Sequence, residues 1–522
     1  MGIYLNPGTD KLDISRNSRL YVDKSQMISF LNSLIDTEER FVCVSRPRRF
    51  GKTMAANMLT AYYSKDCDSH ASFSGLSITA DPSFERYLNK YNVIKIDING
   101  AISNKGTLSV SKYYEREILP ELREKFRDVE LPENITLANA ITRIHSYTHE
   151  KFVIIIDEYD VIMRDEAFSK DLDDYLMFLV SLFKDEVTNT AIALAYITGI
   201  LPVIREKAQS KLNNLTEYTM LDGGELSPYM GFVWDEVNEL ALSNGMDSED
   251  LRSWYDGYKI CGIDVFSPKS VVTAIIKKKC GDYWSQTGTY ESIIDYIRMD
   301  FEGIKDDVVR MIAGESIPFD PSTYRNSLND IKSKDDVFAS LIHLGYLSYD
   351  SKTEGCFIPN KEIRTEWIKA IKLNPDYKNV LSRVNMSREL LEATWNMDCD
   401  KVSQALFESH GYVTSNLTYN NEGSFQSAIR LAYFYSDAYY TVINELPTGK
   451  GFADVVFIPF VPNVPAMIVE LKKDSTPDIA INQIKEREYP KALEKYRKNL
   501  LLVAISYETS TKNHYCKIEK VQ

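Results

Sequence analysis

The sequence predicts an α/β protein in three parts, and three observations predict it. Short apolar, β-branched runs alternate with helical stretches across residues 1–225, the pattern of a three-layer sheet between helices. Residues 226–385 hold helical segments and aromatic clusters, with only short strands between them. Residues 386–522 run helix, hairpin, strand, helix, strand. A chain of 522 residues has room for about three such domains.

Composition sets the outer bounds. Hydrophobic residues make up 44% and charged residues 26%, as in water-soluble globular proteins. A net charge of -14 excludes a uniformly basic surface for nucleic acid, though not a local basic face. The seven cysteines form no CxxC pair and do not cluster with the six histidines. That argues against zinc and against a disulfide framework, so reduced thiols in a cytoplasmic protein are expected. The N-terminal stretch lacks the apolar core of a signal peptide, and Asn6 stands where a myristoylation motif wants Ser or Thr. The longest apolar run, "AIALAYITGILPVI", is 14 residues, broken by Gly and Pro and too short for a bilayer. No membrane partner is expected.

The first element, "RFVCVS" (40–45), reads as a buried strand. The loop "RPRRFGKT" follows, and then "KTMAANMLTAYYS" with helical spacing of its apolar residues. Strand, loop and helix make a phosphate cradle. Main-chain N–H groups of Arg46, Arg48, Arg49, Phe50 and Gly51, with Pro47 shaping the loop between them, point at the phosphates, Lys52 neutralises β/γ charge, and the Thr53 hydroxyl can ligate Mg²⁺. Arg46 stands where the usual loop has its first glycine. A non-glycine residue in the left-handed conformation costs ~1 kcal/mol, so a different entrance to the loop is expected. The three arginines add positive charge that suits a polyphosphate. Taken alone, GKT also fits a basic surface turn.

The run "KFVIIIDEYD" (151–160) tips the choice. It is an apolar strand ending in Asp157, placed to hold Mg²⁺, and Glu158, placed to polarise the attacking water. "AIALAYITG" (191–199) ends in Thr198, either a polar sensor of the γ-phosphate or an ordinary strand cap. "YNVIKIDING" (91–100) supplies another strand. The reading is an ATP-binding P-loop domain with Mg²⁺.

"YVDKSQMISFL", "SRPRRFGKT", "FVIIIDEYD", "ITGILP" and "LNNLTEY" together resemble the AAA-ATPase-like family of bacterial proteins with a C-terminal PD-(D/E)XK nuclease-like domain. The resemblance implies that the RPRRFGKT loop is the family's own form. It also implies that Asp23 and Lys24 lie near the nucleotide.

In the middle region, "LRSWYDGYKICGIDVFSPKSVVTAI" resembles the family's WYxGY signature with its proline turn and helix. Trp254, Tyr255 and Tyr258 around Gly257 could stack bases, but packing between elements is the reading taken here. Residues 336–371 read as helix, strand, turn, strand, helix, a winged-helix-like order, with His343 a core histidine. The region is expected to act as a helical lid and interdomain module.

The order of elements in 386–522 is that of restriction-endonuclease-like folds. Asp454 lies on one hairpin strand, and Glu470 and Lys472 end the next apolar strand. Residues i and i+2 share a strand face, so Glu470 and Lys472 converge beside Asp454. Two carboxylates suit Mg²⁺ or Mn²⁺, and the lysine orients or deprotonates water. Glu422 and Glu445 are additional candidate acids, and the resemblance adds Gln483 and Tyr489 on the following helix. Glu-x-Lys is also common on solvated strand ends. Residues 472–498 hold eight Lys/Arg against five Asp/Glu, a modestly basic stretch that suits a phosphate backbone.

Two functions follow. One is an ATPase coupled to a metal-dependent nuclease acting on nucleic acid, with DNA the expected substrate. The other is an ATP-driven switch or scaffold whose nuclease-like domain binds nucleic acid or a partner without cleavage. A homo-oligomeric ring would need an arginine in trans, for which Arg205 is the candidate.

Overall fold

The computed structural model describes residues 2–521 except 165, 169, 204–211, 285–292, 295, 297–300, 302, 313, 322–330, 374–377, 414–421, 449–450, 460–463 and 487–488. The chain divides into two compact units, Met1–Trp284 with Pro318–Pro359, and Ser285–Ile317 with Asn360–Gln522.

The first unit is built on a five-stranded sheet of β1 (Phe41–Ser45), β2 (Asn92–Asp97), β3 (Phe152–Asp157), β4 (Ile192–Gly199) and β5 (Thr216–Tyr218). Its order is β2-β3-β4-β1-β5, and every pairing is parallel. Parallel strands need crossovers, and the helices that make them cover both faces. Alternation along β1 shows the two cores: Phe41 and Cys43 join one apolar cluster, Val42 and Val44 the other. Ile118, Ile141 and Leu179 of the helices Val110–Lys125, Leu137–Thr148 and Leu172–Phe183 fill the first cluster. Leu31 and Leu59 of Met27–Leu34 and Lys52–Tyr63 fill the second. Burying each isoleucine of β3 stabilises by ~2 kcal/mol. Strand β5 was not read as a strand in the sequence; only three residues long, it carries too little pattern.

The WYDGY cluster is a packing device. Tyr255 and Tyr258 are buried; Tyr255 donates to the carbonyl of Gly281 at 2.8 Å and Tyr258 to that of Gly345 at 2.8 Å. Gly257 has φ 131°, and a Cβ there would lie 1.7 Å from the carbonyl oxygen of Pro359. No larger residue fits. His343 is buried on the helix Lys334–Leu344, and burial pushes its imidazole down to about 3, as suits a core histidine. The order helix, strand Ser348–Asp350, turn, strand Gly355–Phe357, helix Lys361–Leu373 is present as expected. The division between compact units falls between its second strand and its last helix.

The second unit carries a five-stranded sheet of Tyr440–Thr448, Gly451–Pro459, Ala466–Lys473, Leu500–Glu508 and Asn513–Lys520, in that spatial order. The first three strands pair antiparallel, the third and fourth parallel, the last two antiparallel. The helix Pro477–Glu486 lies in the parallel crossover, and Ala480, Ile481 and Ile484 bury its apolar face against Val456 and Ile468. The last strand is an addition to the expected order. Lys517 and Glu519 flank the buried Ile518 at alternate, partly exposed places on this edge strand.

Candidate functional site

Two sites are built, one in each unit. In the first, the P-loop joins β1 to the helix Lys52–Tyr63, whose first residue is Lys52. Glycine at position 51 takes φ 93°, which frees the loop to turn into the helix. Arg46 does not take the left-handed conformation. Arg49, with φ 71°, holds the left-handed position instead, so the loop turns late rather than at its entrance. The three arginines also part ways. Arg46 is fully buried and donates to the main-chain carbonyls of Ser45 and Tyr218, both at 2.9 Å, stitching β1 to β5. Arg49 donates to the carbonyls of Tyr283 and Trp284 at 2.8 and 2.5 Å. Arg48 alone is exposed. Two of the three arginines expected to add charge for a polyphosphate thus also donate to main-chain oxygens of the protein. Pro47 and Phe50 are buried, and Phe50 stands edge-on to Tyr258 at 5.2 Å.

Lys52 Nζ donates to the loop carbonyls of Arg46 and Pro47, both at 2.8 Å. Burial lowers its ammonium to about 8, against the opposing pull of Asp160, Asp157 and Glu158. The Thr53 hydroxyl is on an exposed residue at the helix start. Asp157, 3% exposed at the end of β3, accepts a hydrogen bond from the Thr198 hydroxyl at 2.5 Å. Glu158 follows with φ 55°, and burial, then Asp157, raises its carboxyl above the usual range. A carboxylate held toward neutrality is better placed to accept a proton.

Three residues of this site escaped the sequence reading. Asn99 donates to the Glu158 carboxylate. Asp97 stands opposite Asp157 in the β2–β3 register. The strand "YNVIKID" ends in an acid just as "FVIIID" does, and that shared ending was the available signal. Asp160 is buried, accepts from the N–H groups of Ile200 and Leu201 at 3.1 and 2.9 Å, and pairs with Arg164 at 2.8 Å. It binds the loop after β3 to the loop after β4, a contact that no local pattern announces. Asp23 accepts from the N–H groups of Ser25 and Ser77, and Lys24 pairs with Glu236 at 2.6 Å. Both have structural partners. Arg205 lies outside the described residues.

In the second unit, Val455 pairs with Val469 in antiparallel register, so Asp454 and Glu470 come next on facing strands. Asp454 Oδ2 accepts the N–H of Leu471 at 2.7 Å, and Gln426 Nε2 donates to the Asp454 carbonyl at 2.5 Å. Glu470 is 1% exposed; Lys472 Nζ reaches its Oε1 at 3.1 Å, and Gln483 donates to the same oxygen. The expected convergence of Asp454, Glu470, Lys472 and Gln483 is therefore present as geometry. The side chains of Glu422, Glu445 and Tyr489 lie outside what the structure describes. In the basic stretch, Lys485 pairs with Glu519 at 2.6 Å and Arg497 with Glu494 at 3.1 Å, which leaves less uncompensated charge than the count suggests.

Among the described residues, no three His, Cys, Asp or Glu side chains gather to hold a metal by themselves. The donor set still fits a hard cation. Two carboxylates with the remaining positions left to water and substrate oxygens is the usual provision for Mg²⁺. A carboxylate as buried as Glu470 needs positive charge beside it, which Lys472 supplies in part. Thr53 and Asp157 offer the same oxygen chemistry at the P-loop.

Comparison with known proteins agrees with this division. Residues 9–208 match the family described as "Predicted AAA-ATPase", and residues 420–516 match the "PD-(D/E)XK nuclease superfamily". The C-terminal sheet accordingly has the restriction-endonuclease-like fold and the first unit the α/β fold of a P-loop ATPase. An "Uncharacterized protein in vnfD 5'region" of Azotobacter chroococcum mcd 1 is 24% identical over 283 residues, 53% of this chain. The chain spans about half the length of that curated relative, 52%. The solved Aeropyrum pernix ORC2 protein, in ADPNP and ADP complexes, matches at 10% identity and a TM-score of 0.33, over 68% of this chain and 96% of that one.

Proposed function

We propose that the chain hydrolyses ATP at the P-loop and that nucleotide state governs a metal-dependent nuclease, acting on DNA, at Asp454, Glu470 and Lys472. The observation that carries the reading is the nearly buried Glu470, one oxygen of which meets both Lys472 and Gln483 beside Asp454. Keeping an acid, a lysine and an amide together under a sheet is costly unless the arrangement serves chemistry.

At the P-loop, Lys52 and the loop N–H groups bind and orient the phosphates, and Thr53 and Asp157 would hold Mg²⁺. Glu158 orients the attacking water, with Asn99 fixing its carboxylate. Thr198 keeps Asp157 in place through its hydroxyl. In the C-terminal unit Asp454 and Glu470 would hold Mg²⁺ or Mn²⁺. When bound, the cation supplies charge stabilisation and a more acidic water. Lys472 orients that water and balances charge on the phosphate; Gln483 fixes the Glu470 carboxylate by donating to its Oε1.

The test is cleavage of circular single- and double-stranded DNA, and of RNA, with Mg²⁺ or Mn²⁺ and with or without ATP. Wild type runs beside Lys52→Ala and Asp454→Ala. Cutting that vanishes in Asp454→Ala and changes its ATP dependence in Lys52→Ala supports the proposal. Lys52-dependent ATP turnover without cutting in any metal would sink the nuclease half. The net charge of -14 favours the second reading, a switch or scaffold that engages nucleic acid or a partner without cleavage, and that outcome would establish it.

A further inference from the structure

We propose that Arg49 is a positioning residue that couples phosphate occupancy of the P-loop to the Tyr283–Trp284 segment, where the chain leaves the first compact unit. The inference rests on the ATP-binding reading above and names how that site is regulated.

Arg49 lies three residues before Lys52, inside the loop that would wrap the phosphates. Its Nη1 donates to two consecutive main-chain oxygens, those of Tyr283 and Trp284. Its backbone sits at φ 71°, a conformation that a non-glycine residue keeps only when its surroundings hold it there. The hold is visible on both sides. Trp284 is 4% exposed and stands edge-on to Tyr346 at 5.1 Å. A Cβ on Gly345 would lie 2.8 Å from Pro47 Cβ and 3.5 Å from the Trp284 ring, so the loop, the indole and the helix end at Gly345 meet without spare room. Tyr258 closes the group, donating to the Gly345 carbonyl and meeting Phe50. At Trp284 the chain leaves the first unit, returning to it at Pro318.

The chemistry of exchange follows from the acceptors. A guanidinium hydrogen-bonded to neutral carbonyls meets a stronger acceptor when a polyphosphate arrives, because charge-assisted bonds are shorter and stronger and Arg matches phosphate geometry. Two outcomes of that competition are open to Arg49: it swings to phosphate and releases Tyr283–Trp284, or the loop moves with the nucleotide and draws the segment with it. Either one makes the segment's stability depend on nucleotide, and by reciprocity makes nucleotide affinity depend on the segment. Arg46 differs: it is fully buried, and its Nη1 is held by the carbonyls of Ser45 and Tyr218.

The experiment is hydrogen exchange of the full chain across Gly281–Trp284, without nucleotide and with a nonhydrolysable ATP analogue at a concentration saturating for each variant. In wild type the analogue should change exchange of this segment by threefold or more. In Arg49→Met exchange should already be raised without nucleotide, and the analogue should change it by less than half as much. Arg49→Lys, which keeps the charge but not the fork, should fall between them, and thermal melting checks that both variants fold. A wild type that binds the analogue with no change in the segment overturns the proposal. So does an Arg49→Met that keeps the full nucleotide-dependent change. A wild type that fails to bind the analogue, or binds it equally after Lys52→Ala, overturns the ATP-binding reading itself, and the coupling falls with it.

Discussion

In the parallel sheet of the first unit, chemistry-bearing groups gather where strands stop: Lys52 after β1, Asp157 and Glu158 after β3, Thr198 at the end of β4. In the C-terminal sheet they stand on facing strands instead, Asp454 across from Glu470, with Lys472 two residues on. The first arrangement leans on main-chain shape. Its loop keeps its form although an arginine replaces a glycine at position 46, because that side chain is absorbed into main-chain bonds with Ser45 and Tyr218. The second leans on side-chain identity, since Lys472 and Gln483 both meet the Glu470 carboxylate through their side chains while its main chain is committed to the ladder. The lesson is that substitutions should be tolerated unequally, and the predictions below probe that inequality.

The largest effect is expected at the side-chain site. Asp454→Asn and Glu470→Gln should each lower cleavage by about 10³-fold or more, with ATP turnover within twofold of wild type. Parallel assays of the two activities check this. If Glu470→Gln kept a tenth of the cutting, the contrast between the sites would be broken. At the P-loop, Lys52→Ala should lower ATP turnover by about 10²-fold or more, since in the proposed reading Lys52 neutralises β/γ charge. Arg46→Met should act differently. It strands the carbonyls of Ser45 and Tyr218 at about 1–3 kcal/mol per lost buried partner, so thermal melting should drop more than turnover of the folded enzyme does.

Thr198→Val removes the hydroxyl that donates to Asp157. It should lower ATP turnover by about tenfold and raise the Mg²⁺ concentration needed for half-activity. A strand-capping role alone would lower the melting temperature and leave the metal dependence where it was. The titration therefore settles which of the two readings of Thr198 holds.

Much of both sites could be read from the chain because each uses a local signature. An apolar strand that ends in Asp157-Glu158 and the pair Glu470-x-Lys472 carry their geometry within a few residues. What escaped was non-local or ambiguous in pattern. Asp160 reaches Ile200 and Leu201 across 40 residues of sequence. The fates of Arg46 and Arg49 depend on Tyr218 and on Tyr283–Trp284, far along the chain. The last strand, Asn513–Lys520, is an edge with charged residues at alternate places, and edges read poorly because one side of the ladder faces solvent. The aromatic cluster at 254–258 was settled by burial, which composition alone cannot give.

The smallest effect concerns protons. Burial lowers Lys52 to about 8 in the nucleotide-free protein. Below that pH the ammonium is already charged, and nucleotide binding needs no proton. Above it, an increasing fraction of the protein is neutral at Lys52, while the bound phosphates favour the charged form. Binding must then take up a proton, so affinity should fall as pH rises from about 8 to 9, by at most tenfold for one proton. Calorimetry in two buffers of different ionisation enthalpy should show proton uptake growing over that window, and Lys52→Met should abolish it. A carboxylate such as Glu158, with its carboxyl raised by burial, would also favour binding when protonated, but in the acid range, away from this window. An affinity that climbs between pH 8 and 9, or proton uptake that survives Lys52→Met, would mean that the charge at the loop is set by another group and that main-chain shape is not the whole of what the first site contributes.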